Sequence, residues 1–291
     1  GLIFPVGARD ALVNKINLLI DNPDLSKKIS AGAKKTIANL INQQTYLDLY
    51  KKSLADTLLS KRPKLCYVVP EYDPHSASHF AYLEGFLRFI SSQLDIFLVI
   101  ERGQLPPDNF GCQRVVLAAS NFAIWRFIKT KFFLITARLS CYRDFYIHYS
   151  FYAAYVASVI TKIVGGRVLY WNCGEPWKYK RGFLREFFER IVYKIITFQV
   201  TGAKSLALQY ADYYRILVSK IKIMPNWIDL ERFSVPRDVQ GIKKELGIPE
   251  NKKIVLFVHH LSPRKGSRMI LPVAGKVIKN DPETIFVIIG S

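Results

Sequence analysis

The stretch KIVLFVHHLSPRKGSRMILPVAGKVIK, residues 253–279, opens on an apolar run and closes on a helical pattern, with SPRKG between them. After NDPE, a second apolar run, TIFVIIGS, occupies 284–291. Two apolar runs joined by a helix predict a parallel βαβ unit. The helix begins directly after Arg264, Lys265 and Gly266. Exposed N–H groups at a helix start already carry partial positive charge, so cations are locally disfavoured there. A bound anion reverses that preference. A solvated turn would account for the pair without one.

Upstream, the same alternation runs over a longer span. KLCYVVP (64–70), LDIFLVIE (94–101), RVVLAAS (114–120), FFLITA (132–137), DFYIHYS (144–150), RVLYWNCGE (167–175) and IITFQVTG (195–202) all read as strands. Helical patterns separate several of them: HFAYLEGFLRFISS (79–92), a helix through about Ile163, and FLREFFER (183–190). YSFYAAYVASVITKIVGG, over 149–166, is short of the ~20 residues a membrane span needs and carries Lys162, so it reads as a buried helix. Residues 1–60 differ. ALVNKINLLIDNP places Leu12, Ile16 and Leu19 on one helical face and stops at Asn22-Pro23; DLSKKISAGAKKTIANLI and TYLDLYKKSLADTLL continue as helices. Helices this short need a sheet to pack on.

The 291 residues are half hydrophobic, enough for a sizeable core in two domains, or in one domain plus additions. Cys66, Cys112, Cys141 and Cys173 form no CxxC pair, which argues against a zinc site or disulfide framework and fits a reducing compartment. A net charge of +19 points to anionic partners: phosphorylated ligands, nucleic acid or an acidic membrane surface. No RNP-like or GxxG signature supports nucleic acid. GLIFPVGARD does not read as a signal peptide, and the expected location is cytoplasmic.

In this order the motifs are similar to those of a known family. Residues 64–291 resemble the first two-thirds of a glycosyltransferase of the family 4 type, with the GT-B architecture of two facing Rossmann-like domains. KIKIMPNWIDLERF (220–233) is similar to the family's interdomain PNGxDxxxF, with Trp227 in place of the glycine. VHHLSPRKG…DPETIFVIIG is similar to VGRLxxxKG…xPxxxLxIVG. GLIFPVGARDALVNKINLLIDNPDL resembles the tail that closes the second domain of such enzymes. The resemblance implies an α/β, GT-B-like chain in three pieces. Residues 1–60 are a helical tail fragment, 61–235 an N-terminal, acceptor-side Rossmann-like domain, and 236–291 the truncated start of a nucleotide-sugar-binding Rossmann-like domain. The family's paired-glutamate motif is not in this sequence, so tandem transferases sampled as a fragment are the expectation, ahead of circular permutation.

Transferases of this type usually hold the diphosphate leaving group without a metal or other cofactor, using cations and helix N-termini. The family's lysine matches Lys265, with Gly266 allowing close backbone approach. The family's arginine falls on His260, a weaker phosphate partner that Arg264 could offset. On the acceptor side, Cys173 stands where the family often places a histidine near the transferred sugar. Gly174 and Glu175 share that strand end, where α/β ligands bind. Glu175 either orients an acceptor hydroxyl or pairs with Lys178 or Lys180. His148 ends a strand as a core or rim residue, or as a ligand. Ser76 and Ser78 form a small-residue loop that caps a helix or leaves room for phosphate; His75 and His79 lack a third metal ligand.

The resemblance implies transfer of sugar, with retention of anomeric configuration, from a nucleotide-sugar donor to a lipid-linked or polysaccharide acceptor. The 183–196 helix sets Phe183, Phe187 and Ile191 among Arg181, Arg185 and Arg190, which suits the anionic cytoplasmic leaflet or an ordinary core-facing helix. Two other classes compete: a non-catalytic, membrane-associated scaffold derived from a transferase, and a basic nucleic-acid-binding α/β protein.

Overall fold

The computed structural model describes residues 1–5, 7–40, 48, 62–74, 83–227 and 238–290, with the side chains of 37–40 and 264 outside that description. Ser76 and Ser78, and most of the third expected N-terminal helix, therefore lie outside the described residues.

In chain order, α1 (Arg9–Asp21) and α2 (Pro23–Leu40) come first. Then follow β1 (Lys64–Val69), α3 (Leu83–Ser91), β2 (Asp95–Ile100), β3 (Arg114–Leu117), α4 (Ala123–Leu139), β4 (Asp144–His148), α5 (Phe151–Val164) and β5 (Arg167–Trp171). Next are α6 (Phe183–Ile195), β6 (Phe198–Thr201), α7 (Lys204–Tyr214) and β7 (Ile221–Ile223). The last elements are α8 (Val239–Glu245), β8 (Lys253–Val258), α9 (Ser267–Asn280) and β9 (Thr284–Ile289).

Strands β1 to β7 form one sheet in the order β3-β2-β1-β4-β5-β6-β7, every neighbouring pair parallel. A parallel sheet is covered on both faces, which is why its strands read as nearly unbroken apolar runs. Successive side chains of β1 go to opposite cores. Leu65, Tyr67 and Val69 join Phe86, Leu87 and Ile90 of α3. Cys66 and Val68 join Leu134, Ala153, Val192 and Tyr210, one from each of α4 to α7. Strand order reverses between β1 and β4, the position at which open α/β sheets leave a crevice beyond the strand ends.

FFLITA is not a strand: residues 132–137 lie inside α4. A short apolar run cannot be told from a helix segment by periodicity, and here it continues a helix of 17 residues. The YSFYAAYVASVITKIVGG stretch forms α5. Ser150 caps it, its side chain accepting the Ala153 N–H at 3.3 Å, and Gly165 ends it at φ 75°. At the opposite edge of the sheet, Arg167 reaches Asp144 through Nε–Oδ1 at 3.0 Å and Nη2–Oδ2 at 3.1 Å. Gly166 between α5 and β5 tolerates no side chain, since a Cβ there would sit 2.1 Å from the Arg143 carbonyl oxygen.

Trp227, the departure from the family pattern, is buried against Phe86, ring centroids 6.1 Å apart. Room for it comes from Gly85 of α3, where a Cβ would lie 2.9 Å from the indole.

Residues 1–39 and 231–291 form a second compact unit, so the outer pieces of the chain come together. Strands β8 and β9 pair in parallel, Lys253 opposite Thr284. Val13 of α1 packs with Val273 and Val277 of α9, and Phe286 of β9 lies against the group. Lys276 pairs with Asp10 across the two helices. Pro23, free to open a helix because its missing N–H would be unbonded there, starts α2 just after α1 stops. Ile254, Leu256 and Val258 of β8 remain exposed.

Candidate functional site

Among the described residues, His148, Cys173, Gly174 and Glu175 follow or end strands of the seven-stranded unit, and His260, Lys265 and Gly266 follow β8 in the other.

In the seven-stranded unit, the chain leaves β5 at Asn172, whose Oδ1 accepts the Gly174 N–H at 2.8 Å. Its amide donates to the Tyr193 hydroxyl at 3.1 Å, and Tyr210 donates to the Gly174 carbonyl at 2.8 Å. These bonds hold the Cys173–Glu175 turn on the ends of α6 and α7. A cavity of about 340 Å³ opens beside it, lined among others by Tyr149, Gly174, Glu175, Arg181, Arg185 and Glu189. At its wall the side chains of Arg181 and Glu189, only 8% and 9% exposed, are directly paired. Tyr214 donates to Glu189 at 3.1 Å, and Arg185 Nε to its other oxygen at 3.3 Å. One buried polar atom of this group, Arg181 Nε, has no hydrogen-bond partner.

Glu175 lines the cavity and pairs with Lys178, Oε1 to Nζ 2.7 Å. Cys173 instead packs against the hydrophobic core. Burial pushes its thiol up to about 11, against the opposing hydrogen bonds from Gly202 and Thr201. At pH 7 it is a neutral thiol and a poor nucleophile. His148 is buried, its ring centroid 4.0 Å from that of Trp171 and its Nδ1 3.3 Å from the Tyr67 hydroxyl. The structure thus brings Gly174 and Glu175 to the cavity and sets His148 and Cys173 into the aromatic and apolar packing beside it.

Two residues that sequence reasoning missed also occupy strand ends. Tyr149 lines the cavity with a left-handed backbone, φ 59°, unusual for a bulky side chain and typical of sites where packing over-determines the chain. Burial pushes its hydroxyl up to about 12. Nothing in YIHYS signals the left-handed turn. Glu101, one residue beyond β2, accepts from Ser150 at 2.9 Å and Thr130 at 3.5 Å. Burial raises its carboxyl above the ordinary range, the two hydroxyls partly opposing. The carboxylate closing LDIFLVIE was its visible signal.

In the other unit, the residues after β8 form a tight turn. The Ser262 carbonyl accepts the N–H groups of Lys265 at 2.9 Å and Ser267 at 3.3 Å. Gly266 takes a left-handed φ of 82° and starts α9, with no side chain capping it. His260 is exposed, and His259 Nδ1 accepts its N–H at 2.8 Å. Gly290 ends β9 so close to this segment that a Cβ would lie 2.0 Å from the His259 carbonyl oxygen. Lys265, Gly266 and His260 are thus gathered in one turn at the carboxyl edge of a parallel strand pair. Among the described residues, no three His, Cys, Asp or Glu side chains gather where a metal ion could be held.

No family model matches the chain. A D-inositol 3-phosphate glycosyltransferase of Geodermatophilus obscurus is 30% identical over 83 residues, 28% of this chain and 18% of that protein. A UDP-Gal:alpha-D-GlcNAc-diphosphoundecaprenol alpha-1,3-galactosyltransferase of Escherichia coli is 32% identical over 74 residues, 24% of this chain and 19% of its own length. The matched segments therefore span about a fifth of these relatives. Among solved structures, Anabaena Alr3699/HepE in complex with UDP and glucose superposes with a TM-score of 0.59 at 13% identity, over 78% of this chain and 61% of that one. The chain has an α/β fold of the GT-B type, and a segment of about a quarter of its sequence is similar to glycosyltransferases.

Proposed function

We propose that the chain is part of a glycosyltransferase that moves a sugar from a nucleotide-sugar donor to a lipid-linked or polysaccharide acceptor, with retention of anomeric configuration. The observation that carries this reading is the turn after β8. There Lys265 stands beside the uncapped start of α9, and Gly266 supplies the left-handed backbone that lets the chain close up. Helix dipole and ammonium act together on one anion, which suits a departing nucleoside diphosphate without a metal. Arg264 precedes Lys265 in the same turn, and His260 lies at its entry. On the acceptor side, the cavity with Glu175, Gly174 and Tyr149 has polar groups for a sugar hydroxyl. The similarity to a galactosyltransferase named for a diphosphoundecaprenol acceptor favours a lipid-linked substrate. The proposed site of action is the cytoplasm or the cytoplasmic face of a membrane.

Titration of UDP into the full-length protein, wild type and Lys265→Ala, tests the donor site. A charged hydrogen bond contributes roughly 1.5–3 kcal/mol, so the variant should bind roughly ten- to a hundredfold more weakly. Equal affinities would return SPRKG to a solvated turn. The neutral, core-packed Cys173 and the Glu175–Lys178 pair favour a second reading, a non-catalytic scaffold derived from a transferase. UDP binding by the full-length protein without hydrolysis or transfer of any UDP-sugar would select it.

A further inference from the structure

The outer face of the helix layer formed by α4 and α5 has the wrong polarity for water. Helices of a globular domain normally turn polar residues outward. In α4 the buried positions are Thr130, Leu134 and Ala137. At 100° per residue the opposite side carries Trp125, Ile128, Phe132 and Leu139, and all four are exposed, Phe132 by 61% and Leu139 by 80%. The neighbouring helix repeats the pattern. Outside its buried Ala153, Ala157 and Thr161, α5 exposes Tyr155, Val159 and Ile163, the last by 77%. The two helices pack side by side on one face of the sheet, so their stripes form one apolar surface. Contiguous exposed apolar surface of this kind marks an interaction site.

The charges around it say what covers it. From Asn109 to Arg143 the chain has no carboxylate, while it has Arg114, Arg126, Lys129, Lys131, Arg138 and Arg143. From Phe145 to Gly174 it again has none, with Lys162 and Arg167. Asp144, between the two spans, is buried in its pair with Arg167. An apolar stripe with aromatic residues and a purely basic fringe is complementary to a lipid interface rich in anionic headgroups. Among the described residues no helix is long and apolar enough to cross a bilayer; this surface would lie on one.

We propose that the outward face of α4 and α5 docks on an anionic lipid surface, with Trp125, Ile128 and Phe132 in the headgroup–acyl boundary and Lys131 and Lys162 facing the phosphates. This places the lipid contact apart from the arginines in and just before α6. Arg181 and Arg185 are engaged by Glu189, and Arg190 by Glu186, with its Nη1 also donating to the Tyr213 carbonyl. The outer side of α6 extends the apolar face with Phe183 and Phe187, whose rings stack. The inference does not depend on the enzymatic reading.

Sedimentation of the chain with phosphatidylcholine vesicles, with and without phosphatidylglycerol, tests it. Wild type should pellet with the anionic vesicles and be released by salt. Ile128→Ser with Phe132→Ser should abolish pelleting. Lys131→Glu with Lys162→Glu should weaken it by roughly a hundredfold. All four side chains are exposed or lie at the protein surface, and circular dichroism checks that each variant keeps its helices. A readout without polar substitutions is quenching by brominated lipid, which should fall strongly in Trp125→Phe while binding persists. Three results would overturn the proposal: no pelleting of wild type with anionic vesicles, unchanged pelleting of both double variants, or lipid-free self-association abolished by Ile128→Ser with Phe132→Ser.

Discussion

Trp227 stands where the resembling family carries a glycine, and the cost of that exchange is met by another residue. The indole fills space over α3 that exists because position 85 has no Cβ. The pair is complementary: a large side chain on one segment and a missing one on its neighbour keep the core at normal density. Glu101 illustrates a different balance. Burial, the larger influence, raises its carboxyl pKa above the ordinary value, so the native state holds the proton more tightly than the unfolded chain. The stability this contributes is full below the ordinary carboxylate pKa and is lost as pH rises through the raised native value. Glu101→Gln keeps an acceptor for Ser150 without a charge. Its stability advantage over wild type should therefore grow as pH rises across that window. Melting both proteins between about pH 4 and about pH 8 checks this; a constant or shrinking difference would refute it.

At the scale of elements, several junctions are set by local devices that short stretches of sequence can carry. Ser150 caps α5, Gly266 turns the chain into α9, and Pro23 separates two helices. FFLITA failed because it has no such device at either end, and what surrounds it decides between helix and strand. The amino edges of β4 and β5 are joined by the Asp144–Arg167 pair, remote from the cavity at the other end of β5. Removing one partner of a buried, bidentate pair costs about 3–5 kcal/mol. Since the Arg167 side chain is 17% exposed and reaches some water, Asp144→Ala should lie at the lower end of that range. Chemical denaturation measures it. A loss below about 1 kcal/mol would place the pair among surface bridges.

For the whole molecule, the separation into two compact units predicts two responses to mutation. Val277 is buried among Val13 and Val273, within the unit made of residues 1–39 and 231–291. A carboxylate there has no partner and costs several kcal/mol. In calorimetry Val277→Asp should lower the transition of that unit and leave the transition of the seven-stranded unit in place. A uniform shift of all unfolding would show that the two behave as one cooperative body.

By itself the sequence determined the parallel α/β class, strands β1 to β6 of the larger sheet and the SPRKG turn, while it misread FFLITA as a strand and left β7 unread. Buried parallel strands must be apolar at nearly every position, and turns use glycine and proline for backbone angles that other residues resist; both are local requirements. Only the tertiary structure decided the cavity. Its lining comes from Tyr149, from Asn172, Gly174 and Glu175, and from the Arg181–Glu189 pair, which meet because β4, β5 and α6 are neighbours. Only it decided that Cys173 and His148 face packing, and that α4 turns an apolar stripe outward. Burial belongs to the arrangement of elements, and an exposed stripe of α4 reads in sequence like one that faces a core.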